Sequence, residues 1–275
     1  MSIALTEEPA RRLAAVTGAS RGIGLELAKV FAQNDFDLVI AADSTALREV
    51  VPQLERLGAH VDTVQTDLAT SAGVDRFYEC LVEQSRDIDA LAMNAGLGVS
   101  GEFIDTALEE ELRLVNLNIV SLLRLTKKIL PDFVKQGSGR ILYTSSPVTA
   151  LPGPYFAVGA ASKAFLQSFA ETIRLEVKDT GVTITVLQPR VAEPRCLTRA
   201  RVADTATGAG EDPAEAALEG FEALMAGKDH VIAGAFRHPA RTAVARLLPD
   251  PLGAQFHDGQ PRLAARSSKK GERTS

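Results

Sequence analysis

The sequence predicts an α/β protein in which a parallel sheet of about seven strands carries helices on both faces. Two observations point there. Short apolar, β-branched runs alternate with longer stretches of helical periodicity. The first run is followed at once by a glycine-rich turn that opens a helix. A chain of 275 residues, 45% of them apolar, suffices for one core of that kind and excludes a mainly disordered protein.

The runs that read as strands are 13–17 (LAAVT), 37–41 (DLVIA), 60–65 (HVDTVQ), 90–94 (ALAMN), 140–144 (RILYT), 183–187 (TITVL) and 229–233 (DHVIA). Helical patterns fill 22–33, 44–57, 71–85, 107–135, 155–178 and 212–226. Right-handed crossovers between parallel strands then force a doubly wound, Rossmann-type sheet, with its ligand crevice at the carboxyl ends of the strands. The helix near 212–226 is announced by Asp212 as a cap, Pro213 in the first turn and Glu215 three residues after Asp212. Residues 1–235 read as a single domain, 236–254 as a C-terminal extension and 255–275, Pro/Gly-rich and then basic, as a disordered tail.

Composition narrows the function classes. Thirty Lys plus Arg against 35 Asp plus Glu leave a formal charge of −5, which argues against a nucleic-acid partner. No apolar run approaches the about 18 residues of a membrane span. Glu7, Glu8 and Pro9 fall where a signal peptide needs its apolar core, so a cytoplasmic location is expected. Cys80 and Cys196 stand far apart, and His60, His230, His238 and His257 have no ligand spacing, so no metal site is expected.

The turn after the first strand reads Thr17-Gly18-Ala19-Ser20-Arg21-Gly22-Ile23-Gly24. Gly18 permits a tight turn, Gly22 lets backbone approach a pyrophosphate, and Gly24 lets the helix lie close on the strand. The helix N-terminus then offers unpaired N–H groups and partial positive charge to phosphates. Later strands end in Asp67-Leu68, Asn94-Ala95-Gly96, Ser145-Ser146 and Gln188-Pro189, and Ala161-Ser162-Lys163 lies on a long helix.

With these markers in order, residues from about 12 to 235 resemble the short-chain dehydrogenase/reductase family. The resemblance implies a nicotinamide dinucleotide held by Gly18, Ser20, Arg21, Gly22, Ile23 and Gly24. It also implies adenine contacts at Asp67 and Leu68, sheet support at Asn94, Ala95 and Gly96, and further cofactor contacts at Lys163 and Pro189. It implies a small carbonyl or alcohol as substrate, with a homodimer or homotetramer packing the long helices near 107–135 and 155–178. Leu122, Leu123, Ile129 and Phe165 suit that packing and suit a core equally.

The choice of nucleotide rests on two opposed signals. A carboxylate near the end of the second strand accepts from the 2′-hydroxyl of NAD and repels the 2′-phosphate of NADP. Asp43 lies there, one place beyond the family's acidic position, which here is Ala42, and it serves equally as a cap for the helix from Ser44. Arg21 can pair with a 2′-phosphate. NADP(H) is slightly preferred over NAD(H) on balance.

The resemblance assigns hydride transfer with a proton moved by a Tyr, four residues before a Lys on one helix face. Lys163 matches the Lys, Ser146 the carbonyl-polarising Ser, and Asn118 the Asn of the proton relay, in preference to Asn116. The Tyr position is Gly159. After the sixth strand, Arg190 replaces a Gly, and the Thr expected next does not come until Thr198. Of three tyrosines, Tyr143 falls inside a strand, Tyr78 on a distant helix, and Tyr155 four residues before Gly159. An NAD(P)-dependent oxidoreductase with altered proton donation is the leading reading. A non-catalytic nucleotide-binding protein and a non-redox lyase- or isomerase-like enzyme are the alternatives.

Overall fold

A computed structural model describes residues 11–146, 155–189 and 212–233. Its strands and helices alternate as the periodicity predicts: β1 (Arg12–Thr17), α1 (Gly22–Gln33), β2 (Phe36–Ala42), α2 (Leu47–Glu55), β3 (Val61–Gln65), α3 (Ser71–Val82) and β4 (Ala90–Met93). Next come α4 (Leu108–Val115), a π-helical segment (Asn116–Ser121), α5 (Leu122–Gln136), β5 (Gly139–Thr144), α6 (Ala157–Val177), β6 (Val182–Gln188), α7 (Pro213–Met225) and β7 (His230–Ile232). The seven strands are parallel, in the order β3-β2-β1-β4-β5-β6-β7. The chain therefore builds outward from β1 in one direction and from β4 in the other. The crevice between their carboxyl ends is the topological switch point.

Alternation along each strand supplies both faces of the sheet. Ala14, Val16, Leu38 and Ile40 pack with Ile23, Leu27 and Phe31 of α1 and Phe221 and Leu224 of α7. Leu13, Ala15, Val39 and Ala41 face the other way, against Phe77 of α3, Leu125, Ile129 and Phe133 of α5 and Leu166 of α6. Each β1 residue in these sets is at most 1% exposed. A central parallel strand covered on both sides should be buried in this way.

Two helices depart from the expectation and the start of a third meets it. The helix read at 44–57 begins only at Leu47, because a turn at Ser44–Ala46, in which the Ser44 hydroxyl accepts from Ala46 N at 3.2 Å, precedes it. Asp43 is thus no helix cap. The helix read at 107–135 is continuous in its path but passes through a π turn at Asn116–Ser121, which a plain 3.6-residue period does not announce. At α7 the expected cap is present: the Asp212 carboxylate accepts from Ala214 N at 2.9 Å, with Pro213 in the first turn.

The extension at 236–254, the tail, Arg190, Thr198, Cys196, His238 and His257 lie outside the described residues.

Candidate active site

The carboxyl end of β1 opens the site. Gly18 has φ +71°, a left-handed conformation that suits glycine. At Gly24 a Cβ would stand 2.2 Å from the Gly18 carbonyl oxygen and 2.7 Å from Asn94 Nδ2. The loop is therefore folded back on the first turn of α1 so tightly that only glycine fits. Ile23 turns inward and is 2% exposed, leaving the backbone to face the crevice. Arg21 stands at the head of α1 without a side-chain cap. The first amides of α1 lack intrahelical partners for the same reason as in any helix. This cradle, closed to a Cβ and ended by a helix N-terminus, fits a dinucleotide pyrophosphate.

Thr17 ties the cradle to the end of β4. Its hydroxyl accepts from Asn94 N at 3.0 Å and Ala95 N at 3.1 Å. Asn94, Ala95 and Gly96 thus lie beside the loop. A Cβ on Gly96 would meet Asn118 Oδ1 at 3.4 Å and Lys163 Nζ at 3.5 Å, so those two polar ends converge on one point of the crevice.

Asn118 sits within the π turn and is 4% exposed, whereas Asn116 is exposed. The Asn118 side chain accepts from Leu97 N at 2.9 Å and donates to Leu97 O at 2.8 Å and Ser162 Oγ at 3.0 Å. Ser162 in turn donates to the Gly159 carbonyl at 2.8 Å. Lys163, half-buried as a residue, carries its ammonium beneath the surface, where it donates to the Thr144 carbonyl at 2.9 Å. Desolvation there lowers its pKa to about 8. A narrow cavity reaches inward between Thr17, Ala95, Asn118, Ser121, Thr144 and Lys163. At the end of β5, Thr144 Oγ1 and Ser145 Oγ are buried without a hydrogen-bond partner among the described residues, and half-buried Ser146 follows.

Gly159 is one helical turn before Lys163 on α6. Among the described residues, a Cβ built there would touch only Leu114 Cδ1, at 3.9 Å, so none of them fills the position. Two of the three tyrosines are committed elsewhere. Tyr143 is fully buried with its hydroxyl 2.8 Å from Thr126 Oγ1, and burial raises its pKa. Tyr78 donates to Asp132 at 3.0 Å. Tyr155 is half-buried just before α6 at φ +74°, unusual for a non-glycine residue, and its carbonyl accepts from Gly101 N at 2.9 Å.

At the far end of the crevice, Asp67 follows β3 and Asp43 follows β2. Burial pushes the Asp67 carboxyl up, but the Arg113 guanidinium at 2.7 Å and the Ala69 amide at 2.9 Å outweigh it and leave its pKa lowered. Arg113 also stands 3.8 Å from Asp43. Leu68 is buried in the core and lines the same cavity as Thr17, Asn118 and Lys163. Pro189 lies half-buried just beyond β6.

The structure thus brings Asn118, Lys163 and Gly96 together, with Gly159 one turn from Lys163, and puts the glycine loop, Asn94 and Asp67 along one crevice. Arg113 and the Thr144 carbonyl were missed from sequence, and Thr17 and Ser162 were read only as parts of their motifs, with no role of their own. Thr17 carried a signal, since it ends β1 directly before the loop. Arg113 carried none, because its partners are set by a contact across the crevice. No group of three or more potential metal ligands occurs among the described residues, and no helix there is long and apolar enough to cross a membrane.

The model of the short chain dehydrogenase family matches residues 12–204. A Drosophila melanogaster protein, dehydrogenase/reductase SDR family protein 7-like, is 31% identical over 180 residues, which is 63% of this chain. The match spans only 55% of that relative's length. A short-chain dehydrogenase from Sphingobium yanoikuyae in complex with NADPH superposes with a TM-score of 0.71 at 26% identity, covering 86% of this chain and 96% of that one. A short chain dehydrogenase/reductase from Burkholderia phymatum in complex with NAD gives 0.74 at 23% identity, covering 86% of this chain and 92% of that one.

Proposed function

Since the chain belongs to the short-chain dehydrogenase family, we propose that it is an NAD(P)-dependent oxidoreductase acting on a small carbonyl or alcohol, with NADP(H) slightly preferred over NAD(H) and with proton donation altered at Gly159. The convergence of Asn118 and Lys163 over Gly96, beside a loop closed to a Cβ at Gly24, carries the reading. When bound, the nicotinamide cofactor supplies or accepts the hydride. The backbone of the Gly18–Gly24 loop would hold the pyrophosphate, Lys163 the nearby ribose, and Asp67 the adenine end.

What remains for the chain is to move one proton. In this family that falls to a phenol at the place where Gly159 leaves open space among the described residues. A water in that space can exchange protons with Lys163, whose depressed pKa of about 8 makes it a competent acid near neutrality. Ser146 at the end of β5 is the neighbour suited to polarise a carbonyl. Exposed Leu112 (51%), Leu123 (38%) and Leu175 (72%) on α4, α5 and α6 support association into a homodimer or homotetramer, while Leu122 and Ile129 belong to the core. A cytoplasmic location is part of the proposal, supported by two cysteines that stand far apart in the sequence.

A nucleotide-binding protein without turnover is the second reading, favoured by the engagement of Tyr78 and Tyr143 away from the site. Melting with and without NADPH or NADH, followed by turnover on a carbonyl panel, separates the two. The oxidoreductase reading expects a raised melting temperature and slow turnover. Gly159→Tyr should raise that turnover about tenfold or more, because a positioned general acid typically contributes about 10²–10⁴-fold. Binding with no turnover, before and after that substitution, favours the second reading.

A further inference from the structure

Arg113 reaches the adenosine end of the crevice from the opposite side of the switch point. It comes from α4, which follows β4, yet its guanidinium lies between two carboxylates that follow β2 and β3. The two contacts are unequal. Nη1 donates to Asp67 Oδ2 at 2.7 Å, a short charge-assisted bond in which Asp67 is also fixed by the Ala69 amide. Nη2 stands 3.8 Å from Asp43 Oδ2, beyond hydrogen-bond reach, and the Asp43 side chain is 68% exposed. Asp43 is therefore held near Arg113 by charge alone and can swing into solvent.

We propose that Arg113 is a specificity residue for the 2′ position of the adenosine ribose: its Asp67-anchored guanidinium presents Nη2 to a 2′-phosphate, which displaces Asp43. The inference rests on the nicotinamide-dinucleotide reading of the site and deepens it. A guanidinium suits the task because its planar fork serves two anions at once. Asp67 keeps one nitrogen, and the other exchanges an exposed carboxylate for a phosphate of higher charge. With Arg113 absent, Asp43 and Asp67 would both confront the phosphate uncompensated.

The test is direct binding, by NADPH and NADH fluorescence titration. Calorimetry with adenosine 2′,5′-bisphosphate against AMP isolates the adenosine end. Arg113→Met should weaken NADPH and the bisphosphate by about tenfold or more, while NADH and AMP change by less than about threefold. Asp43→Asn should move the ratio the other way, toward the 2′-phosphorylated ligands. Equal weakening of both ligand classes, or no change, overturns the role of Arg113. If the unmodified protein binds none of the four ligands, the dinucleotide reading falls with it. Melting curves check folding, and if Arg113→Met does not fold, an unshifted ratio in Asp43→Asn overturns the proposal alone.

Discussion

The ammonium of Lys163 is bonded to the Thr144 carbonyl at 2.9 Å, so a helix side chain is anchored to the end of a central strand. Burial lowers its pKa to about 8. Below that pH the folded state holds a desolvated charge. Between about 8 and the ordinary lysine value the unfolded chain binds more protons than the folded one, so stability rises with pH across that window. Lys163→Met should therefore be more stable than the unmodified, cofactor-free protein at pH 7, with the gap closing by pH 10. Each ~1 kcal/mol relieved should raise Tm by about 2–4 °C. Parallel pH profiles for the two proteins would rule out a buried, charged Lys163.

Gly24→Ala tests the cradle. Its Cβ would lie 2.2 Å from the Gly18 carbonyl, against backbone that cannot swing aside. Overpacking of this kind should cost about 1–3 kcal/mol in denaturant unfolding and abolish the thermal shift given by NADPH. A variant that keeps both would mean the loop has slack at this turn.

Asn118→Ala removes one acceptor and two donors at once. The Leu97 amide and carbonyl lose their side-chain partner, and an unsatisfied buried polar group costs about 1–3 kcal/mol. Urea unfolding should show a loss of at least that size, together with a reduced turnover. An unchanged midpoint would show that water replaces the side chain freely.

Tyr143→Phe separates a packing tyrosine from a chemical one. The variant strands Thr126 Oγ1, whose other contact is Met93 Sδ at 3.7 Å, so about 1 kcal/mol should be lost. Cofactor binding and turnover should not move. A fall in turnover beyond the loss of folded protein would make Tyr143 part of the proton path.

The layers and crevice were legible because periodicity reports burial, and burial is what builds a doubly wound sheet. The glycine loop was legible because its demands are local: a positive φ at Gly18 and a Cβ exclusion at Gly24 can be met by few residues. Lys163 and Asn118 were legible through resemblance, one turn and one helix away from other markers. Arg113 was not, since its partners Asp43 and Asp67 lie 70 and 46 residues earlier in the chain, joined only when α4 folds across. The π turn was invisible because hydrogen-bond register leaves no clear trace in the pattern of apolar residues over a single turn.

That π turn makes chain length itself a constraint. It accommodates a wider loop of backbone than an α turn, so α4 and α5 meet in phase only because of it. A single-residue deletion in the plain α turns on either side of Asn116–Ser121 has no such slack and would rotate one flank against the other by about 100°. Either Asn118 would leave Leu97 and Ser162, or Leu125, Ile129 and Phe133 would turn away from the sheet. Point substitutions on the outer face of this helix should be absorbed one by one, whereas a lost codon could not be.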